Sequence, residues 1–400
     1  FKKKYRNKYH SKIFNINLLV NKFIYKFSFC YDFLIKKKLN KLTVSKMQKK
    51  NKKVLLVIGD LTYGGAERQI ILLANNLIKK NLQVTLVSNT TVDSVHSKEF
   101  IKNIDKKVKL VFLKNIESLV FDKPIKKKKL INNFKKSKLL KEIIDKKILN
   151  FLRENEIYYF YNLHKFIEKN KPDIIHSYLD FWNILCGIIG LNLGIRKIIL
   201  SCRNMPPNLL SYNRFYFFSC YNFLKNFSNI KIINNSKAGA VAYENWMKVK
   251  KNLIKVHYNF FNFKKHNIKK IKRKKSNIII GSVARFAPEK NLIYMIRLFK
   301  NILQKQKNVE LFIIGEGYLK ENLQRYIYKH NLNNFVSLNS PKKNIYDYMN
   351  YFDCFLLTSK LEGTPNVLLE SQSVGTPVFT TNVGGASETI VKNYSGFLLF

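Results

Sequence analysis

The sequence predicts an α/β protein built from two tandem doubly wound parallel-sheet domains. Three observations carry that prediction. From Lys53 onward, short apolar runs alternate with segments of helical spacing, the pattern of strands crossed over by helices. The first of these runs, "VLLVIG", is continuous instead of alternating, as expected of a strand buried on both faces. The series also occurs twice, on either side of a basic stretch without an apolar period. With 400 residues, 46% of them hydrophobic, the chain has room for two domains with substantial cores.

The first series opens with "VLLVIG" (Val54–Gly59). A helix follows, with Ile70, Leu73, Ala74 and Leu77 on one side. Then come "QVTLVS" (83–88), "VKLVFL" (108–113), "DIIHSY" (173–178), "KIILSC" (197–202) and "IKIINNS" (230–236). Between Phe121 and Asn155 lies a lysine-rich insert that reads as a solvated surface excursion. The longest apolar stretch, "ILCGIIGLNLGI" (184–195), falls short of the roughly 18–20 residues a membrane span needs and reads as a buried helix. The second series comprises "NIIIGSVAR", "VELFIIGEG", "FVSLNS", "DCFLLTS" and "TPVFTT". The expected boundaries are a first domain over 47–260, a basic linker over 261–276 and a second domain over 277–400. Residues 1–46 precede the first methionine, Met47, and carry lysine-interrupted aromatics without a period. They are set apart as a basic extension and take no part in the fold argument.

The net charge of +48 invites a nucleic-acid reading. Only ten of the 73 basic residues are arginine, however, and lysine is spread along the whole chain. A compositionally biased enzyme accounts for that better than one recognition patch. Attraction to an anionic membrane surface, which rewards clustered lysines, is the remaining partner that charge suggests. A specific nucleic-acid partner is not expected, because basics with interleaved aromatics are approached only in residues 1–50 and in the linker. The five cysteines are scattered without a CxxC pair, which suggests neither a zinc site nor a disulfide framework and fits a reducing compartment. No Asp-x-Asp or His/Cys cluster has metal-ligand spacing, so no metal is expected.

Three stretches carry chemistry. "GDLTYGGAERQ" (59–69) joins the first strand to the first helix. Gly64 and Gly65 there admit close ligand approach and open a helix whose N–H groups attract anions. In "GSVARFAPEKN" (281–291), Arg285 and Lys290 lie five apart across a turn with Pro288, so both are placed to reach one polyanion. In "LEGTPNVLLESQSVGTP" (361–377), Thr364 is expected to cap a helix starting at Pro365. Gly375 ends that helix and Pro377 leads into the next strand. This leaves the N–H groups of Asn366, Val367 and Leu368 to face an anion. Glu370 sits a turn further in and Glu362 in the loop before, where sugar hydroxyls would serve as partners for a buried carboxylate.

Together, "GGAER", "VARFAPEKN", "GEG" (315–317) and "EGTPNVLLESQSVGTPVFTTNVGGASE" resemble glycosyltransferase family 4, retaining enzymes with two Rossmann-like domains facing a cleft, the GT-B architecture. The resemblance covers residues 53–400. It implies that Arg285 and Lys290 hold the donor diphosphate, that Glu370 contacts the nucleotide ribose, and that Glu362 stands near the transferred sugar. Gly64 and Gly65 would line the cleft from the first, acceptor-side domain. Arg203 and Asn204 stand where many relatives carry a histidine, which leaves open the roles of Arg203 and of His176 one strand earlier. Relatives continue past the position of Phe400 into further helices, so the second domain is expected to be incomplete at its end.

The resemblance implies transfer of a hexose-type sugar from a UDP- or GDP-linked donor, without metal or other cofactor. It implies a lipid-linked or polysaccharide acceptor in cell-envelope glycan synthesis, and a cytoplasmic place that is peripheral on the inner face of the plasma membrane. Two alternatives stand beside this. One is another GT-B enzyme such as a nucleotide-sugar epimerase, against which the paired glutamates argue. The other is a basic nucleic-acid-binding protein.

Overall fold

The computed structural model describes residues 52–62, 64–89, 101–113, 153–210, 212–261, 268–269, 271, 277–342 and 344–399. The basic extension over 1–46 lies outside the described residues, as do almost all of the insert over 121–155 and most of the linker over 261–276. The chain divides into two compact units. The first takes in Phe1–Cys202, Pro206–Ile233 and Tyr243–Lys255; the second takes in Arg203–Met205, Asn234–Ala242 and Val256–Phe400. Three short pieces of the expected first domain, 203–205, 234–242 and 256–260, thus count with the second unit, a partition that no apolar pattern marks.

In the first unit the strands β1 (Lys53–Ile58), β2 (Gln83–Ser88), β3 (Lys109–Phe112), β4 (Ile174–Tyr178), β5 (Lys197–Cys202) and β6 (Ile230–Asn234) form where the apolar runs predicted them. A two-residue β7 (Lys255–Val256) was not foreseen. The sheet order among the described residues is β3-β2-β1-β4-β5-β6-β7, parallel from β3 through β5. The helix α1 (Gly65–Lys79) buries Ile70, Ile71 and Ala74 against Leu56, Ile58 and Leu86 of the sheet. The helix α2 (Glu154–Asn170) begins at the last two positions of the supposed insert. The apolar stretch at 184–195 is indeed helical and buried, as most of α3 (Asp180–Asn192).

The second sheet runs β10 (Val336–Asn339), β9 (Val309–Ile314), β8 (Ile278–Val283), β11 (Cys354–Leu357), β12 (Val378–Thr381) and β13 (Gly396–Leu399), with every neighbouring pair parallel. Successive strand residues feed opposite layers. Ile280, Leu311, Ile313 and Leu356 pack with Met295, Phe299 and Leu323 of one helical layer. Ile279, Ile314, Phe355 and Leu357 pack with Met349 and Leu368 of the other. That two-sided burial is why these strands read as unbroken apolar runs. The strand β13, at "GFLL", had no turn or helix after it to mark it as an element.

Candidate active site

In an open parallel sheet, ligands settle beyond the carboxyl ends of the strands, at the point where the strand order reverses. In the second unit that point lies between β8 and β11, since the chain winds outward from β8 through β9 to β10 and then returns to β11. The loops leaving these two strands carry Arg285 and Lys290 on one side and Glu362 on the other. They are stitched together by main-chain and side-chain bonds. The Lys360 N–H donates to the Glu289 carbonyl at 2.8 Å, and the Thr358 hydroxyl lies 3.4 and 3.3 Å from the carbonyls of Lys290 and Asn291.

At their meeting point Lys290 Nζ lies 2.5 Å from Glu362 Oε1. The same oxygen accepts the Ser359 hydroxyl at 2.7 Å. Glu362 is only 8% exposed, so its charge is held by two donors, as a buried carboxylate requires. Ser359 is in turn fixed at its carbonyl by the Thr381 hydroxyl, at the end of β12, at 2.7 Å.

Arg285 does not share that pair. Its Nη2 lies 2.6 Å from Glu289 Oε1, and its side chain is 67% exposed. Burial pushes the Glu289 carboxyl up, but a backbone hydrogen bond and the Arg285 guanidinium outweigh this and hold it below its ordinary value. The Arg285 loop is fixed from β9. The Phe286 N–H donates to the Glu316 carbonyl at 2.7 Å, and Gly315 and Gly317 lie so close to the carbonyls of Ala284 and Phe286 that neither has room for a Cβ. This is what "GEG" does locally: it lets one loop pack flat on the next.

The turn after Glu362 departs from expectation. Thr364 does not cap the helix; its hydroxyl donates to the Asn235 carbonyl. The helix α4 spans Asn366–Ser373, with Pro365 as N-cap instead of first residue. The Leu368 N–H donates to the Pro365 carbonyl at 3.2 Å, so one of the three N–H groups expected to face an anion is spent within the turn. That N–H is spent because the carbonyl of an N-cap residue, here Pro365, is the first acceptor of its helix. Gly375, at φ +85°, follows the end of this helix as anticipated. Glu370 is 4% exposed within it, on a helix whose Leu368 belongs to the core.

The remaining predicted residues lie apart or in other company. Gly64 and Gly65 open α1 in the first unit, with Gly64 as N-cap and Glu67 in the first turn. The Glu67 carboxylate folds back over the Gly64 Cα, so the helix start carries an acid of its own sequence. His176 sits third in the five residues of β4, its ring 5.1 Å from that of Tyr178. Arg203 donates to the side-chain carbonyl of Asn259.

Two features escaped the sequence reading. Ser359 precedes Glu362 by three positions, a spacing that one loop hydroxyl in an apolar "FLLTS" run could have signalled. A buried polar network in the first unit had no linear signature at all. There Asp180 Oδ1 accepts the hydroxyls of Tyr221 at 2.8 Å and Tyr243 at 2.6 Å. Asn183 donates to the Tyr221 oxygen at 3.0 Å and accepts the Ser177 hydroxyl at 2.7 Å. Burial pushes the Asp180 carboxyl up to about 6, against the downward pull of the two phenols. Among the described residues no cluster of His, Cys, Asp or Glu could hold a metal ion, and no helix is long and apolar enough to cross a membrane.

Two parallel-sheet units, of seven and six strands among the described residues, are of the GT-B class of fold. A solved structure of Anabaena HepE in complex with UDP and glucose shares that fold, with a TM-score of 0.64 over 87% of this chain and 86% of its own at 19% identity. Residues 263–400 match the family described as glycosyl transferases group 1. An uncharacterized glycosyltransferase of Methanocaldococcus jannaschii is 29% identical over 56% of this chain and 58% of its own length. The Vi polysaccharide biosynthesis protein VipC/TviE of Salmonella typhi is 24% identical over 87% of this chain and 62% of its own. The chain therefore spans about three-fifths of the length of these curated relatives.

Proposed function

We propose that this chain is a retaining glycosyltransferase of the family 4 type, moving a hexose-type sugar from a UDP- or GDP-linked donor to a lipid-linked or polysaccharide acceptor in cell-envelope glycan synthesis. The observation that carries the reading is the Lys290–Glu362–Ser359 cluster at the β8/β11 switch point of the group 1 unit. An ammonium and a buried carboxylate joined there supply both halves of what the reaction needs. Lys290, with Arg285 and the N–H groups of Asn366 and Val367, stabilises the charge that develops on the departing diphosphate. Glu362 stands on the side of the transferred sugar, and Glu370 takes the ribose hydroxyls. These cations and dipoles replace a metal ion, so the reaction needs none. The UDP in the Anabaena HepE structure and the polysaccharide role in the name of the Salmonella relative support the donor and acceptor classes. The lysine excess supports peripheral attachment at an anionic inner membrane face, which makes the enzyme a cytoplasmic one.

The test is a screen of UDP- and GDP-sugars against lipid-linked and glycan acceptors, read as released nucleoside diphosphate, with the product anomer assigned by NMR. Turnover of one donor with retained configuration is expected. An inverted product would overturn the retaining assignment. Donor epimerisation without transfer would favour the epimerase.

A further inference from the structure

We propose that Ser359 is a positioning residue for sugar transfer, holding the Glu362 carboxylate in place when Lys290 turns to the donor diphosphate; the inference rests on the donor reading given above. Lys290 and Ser359 meet the same atom. Glu362 Oε1 lies 2.5 Å from Lys290 Nζ and accepts the Ser359 hydroxyl at 2.7 Å. The two donors differ in how firmly they are held. The Lys290 ammonium ends a flexible four-carbon stem, its side chain is 21% exposed, and in the proposed reaction the diphosphate is its second partner. The Ser359 hydroxyl hangs by a short side chain from a residue that is 1% exposed. As the ammonium is drawn to an arriving diphosphate, its hold on the carboxylate weakens. Ser359 is the donor that stays.

That firmness is built into the strand ends. β11 and β12 run parallel with Leu357 beside Thr380, which brings Thr381, the last residue of β12, level with the loop leaving β11. The Thr381 hydroxyl donates to the Ser359 carbonyl at 2.7 Å. Successive residues of the β11 loop have separate duties. The Thr358 hydroxyl faces the carbonyls of Lys290 and Asn291, whereas the Ser359 hydroxyl turns to Glu362. The main chain at Glu362 is fixed from another side. Gly384, at φ +51°, packs on the Glu362 carbonyl with no room for a Cβ, and the Gly385 N–H donates to the Gly363 carbonyl at 2.8 Å. What remains to be set is the torsion of the Glu362 side chain, and Ser359 sets it. Both bonds fall on Oε1, which leaves Oε2 for a sugar hydroxyl. A carboxylate held this way before the donor arrives needs no rearrangement as charge develops on the sugar.

The test is steady-state kinetics of the whole chain on the donor and acceptor that the screen above turns over, with calorimetric titration of UDP and GDP and thermal melts alongside. Ser359→Ala is expected to lower kcat about tenfold to a hundredfold, the loss of one hydrogen bond to a charged group, while donor KM and nucleotide affinity stay within about twofold because Lys290 is untouched. Thr381→Val acts one step further out and should lower kcat about threefold to tenfold; Thr381→Ser keeps the hydroxyl and should restore it. This pair leaves Ser359 itself in place and guards against a folding failure of the alanine variant. A melting temperature that falls together with kcat and nucleotide affinity would mark a merely structural residue and overturn the inference. Wild-type kcat in Ser359→Ala, or equal losses in the two Thr381 variants, would overturn it too, and each of these results leaves the donor reading standing. If the wild-type chain turns over no donor, the donor reading fails and this inference fails with it.

Discussion

Replacing Asp180 with asparagine should make the first unit less sensitive to pH by an amount the structure sets. Asp180 is 3% exposed and accepts two phenolic hydroxyls on one oxygen. Burial raises its pKa from 3.8 to about 6, the phenols resisting. A folded-state pKa above the unfolded one means that the native protein holds the proton more tightly. The group's contribution is complete below the unfolded value, declines as pH rises through the window between the two, and is gone above the folded value. At about 1.4 kcal/mol per pH unit, that window is worth about 3 kcal/mol.

The Asp180→Asn side chain keeps an oxygen for both phenols and never ionises. Its stability relative to wild type should therefore climb by about 3 kcal/mol between pH about 4 and pH about 7. Both tryptophans, Trp182 and Trp246, belong to the first unit, so urea unfolding followed by tryptophan fluorescence reads this unit without interference from the second. A stability difference that stays constant across the window would refute the assignment of a neutral buried carboxyl to Asp180.

Three further outcomes follow from the second unit. Glu370→Ala should reduce transfer by at least tenfold, roughly the loss of one charge-assisted hydrogen bond at about 1.5–3 kcal/mol, while the far-UV circular dichroism stays unchanged. Activity should survive EDTA, because the proposed leaving-group charge is met by Lys290, Arg285 and helix N–H groups; complete loss restored by magnesium or manganese would contradict that. Glu388 holds the Lys237 and Ala238 N–H groups at 2.7 and 2.8 Å, capping the helix Lys237–Met247. Glu388→Ala should therefore cost about 1–2 kcal/mol in a denaturation experiment, and Glu388→Gln, which retains an acceptor, should cost less.

Much of the fold was legible because burial on both faces imprints itself on consecutive residues. "VLLVIG", "KIILSC" and "DCFLLTS" could hardly be anything but sheet interior, and the glycines at 64–65 marked a helix start. Where burial is partial or the element very short, as in β7 and β13, no such imprint forms. The helix start at 366 was misjudged by one residue because proline is compatible with both N-cap and first-turn backbone, and Thr364 found a better acceptor in Asn235.

The site divides along the same line. Sequence alone determined that Arg285, Lys290, Glu362 and Glu370 belong to loops and a helix beyond strand ends, since their neighbours are fixed by local pattern. Only the tertiary structure decided the partners: Lys290 with Glu362 across 72 positions, Arg285 with its near neighbour Glu289, and Asn259 between Arg203 and Asn366, 56 and 107 positions away. It also placed Asp180 between two tyrosines 41 and 63 residues downstream. Backbone preference and apolar period act over a few residues and are written in order along the chain. Pairing of buried polar groups depends on which strand ends the sheet brings together, and the strand order of each sheet, not the sequence order, decides that.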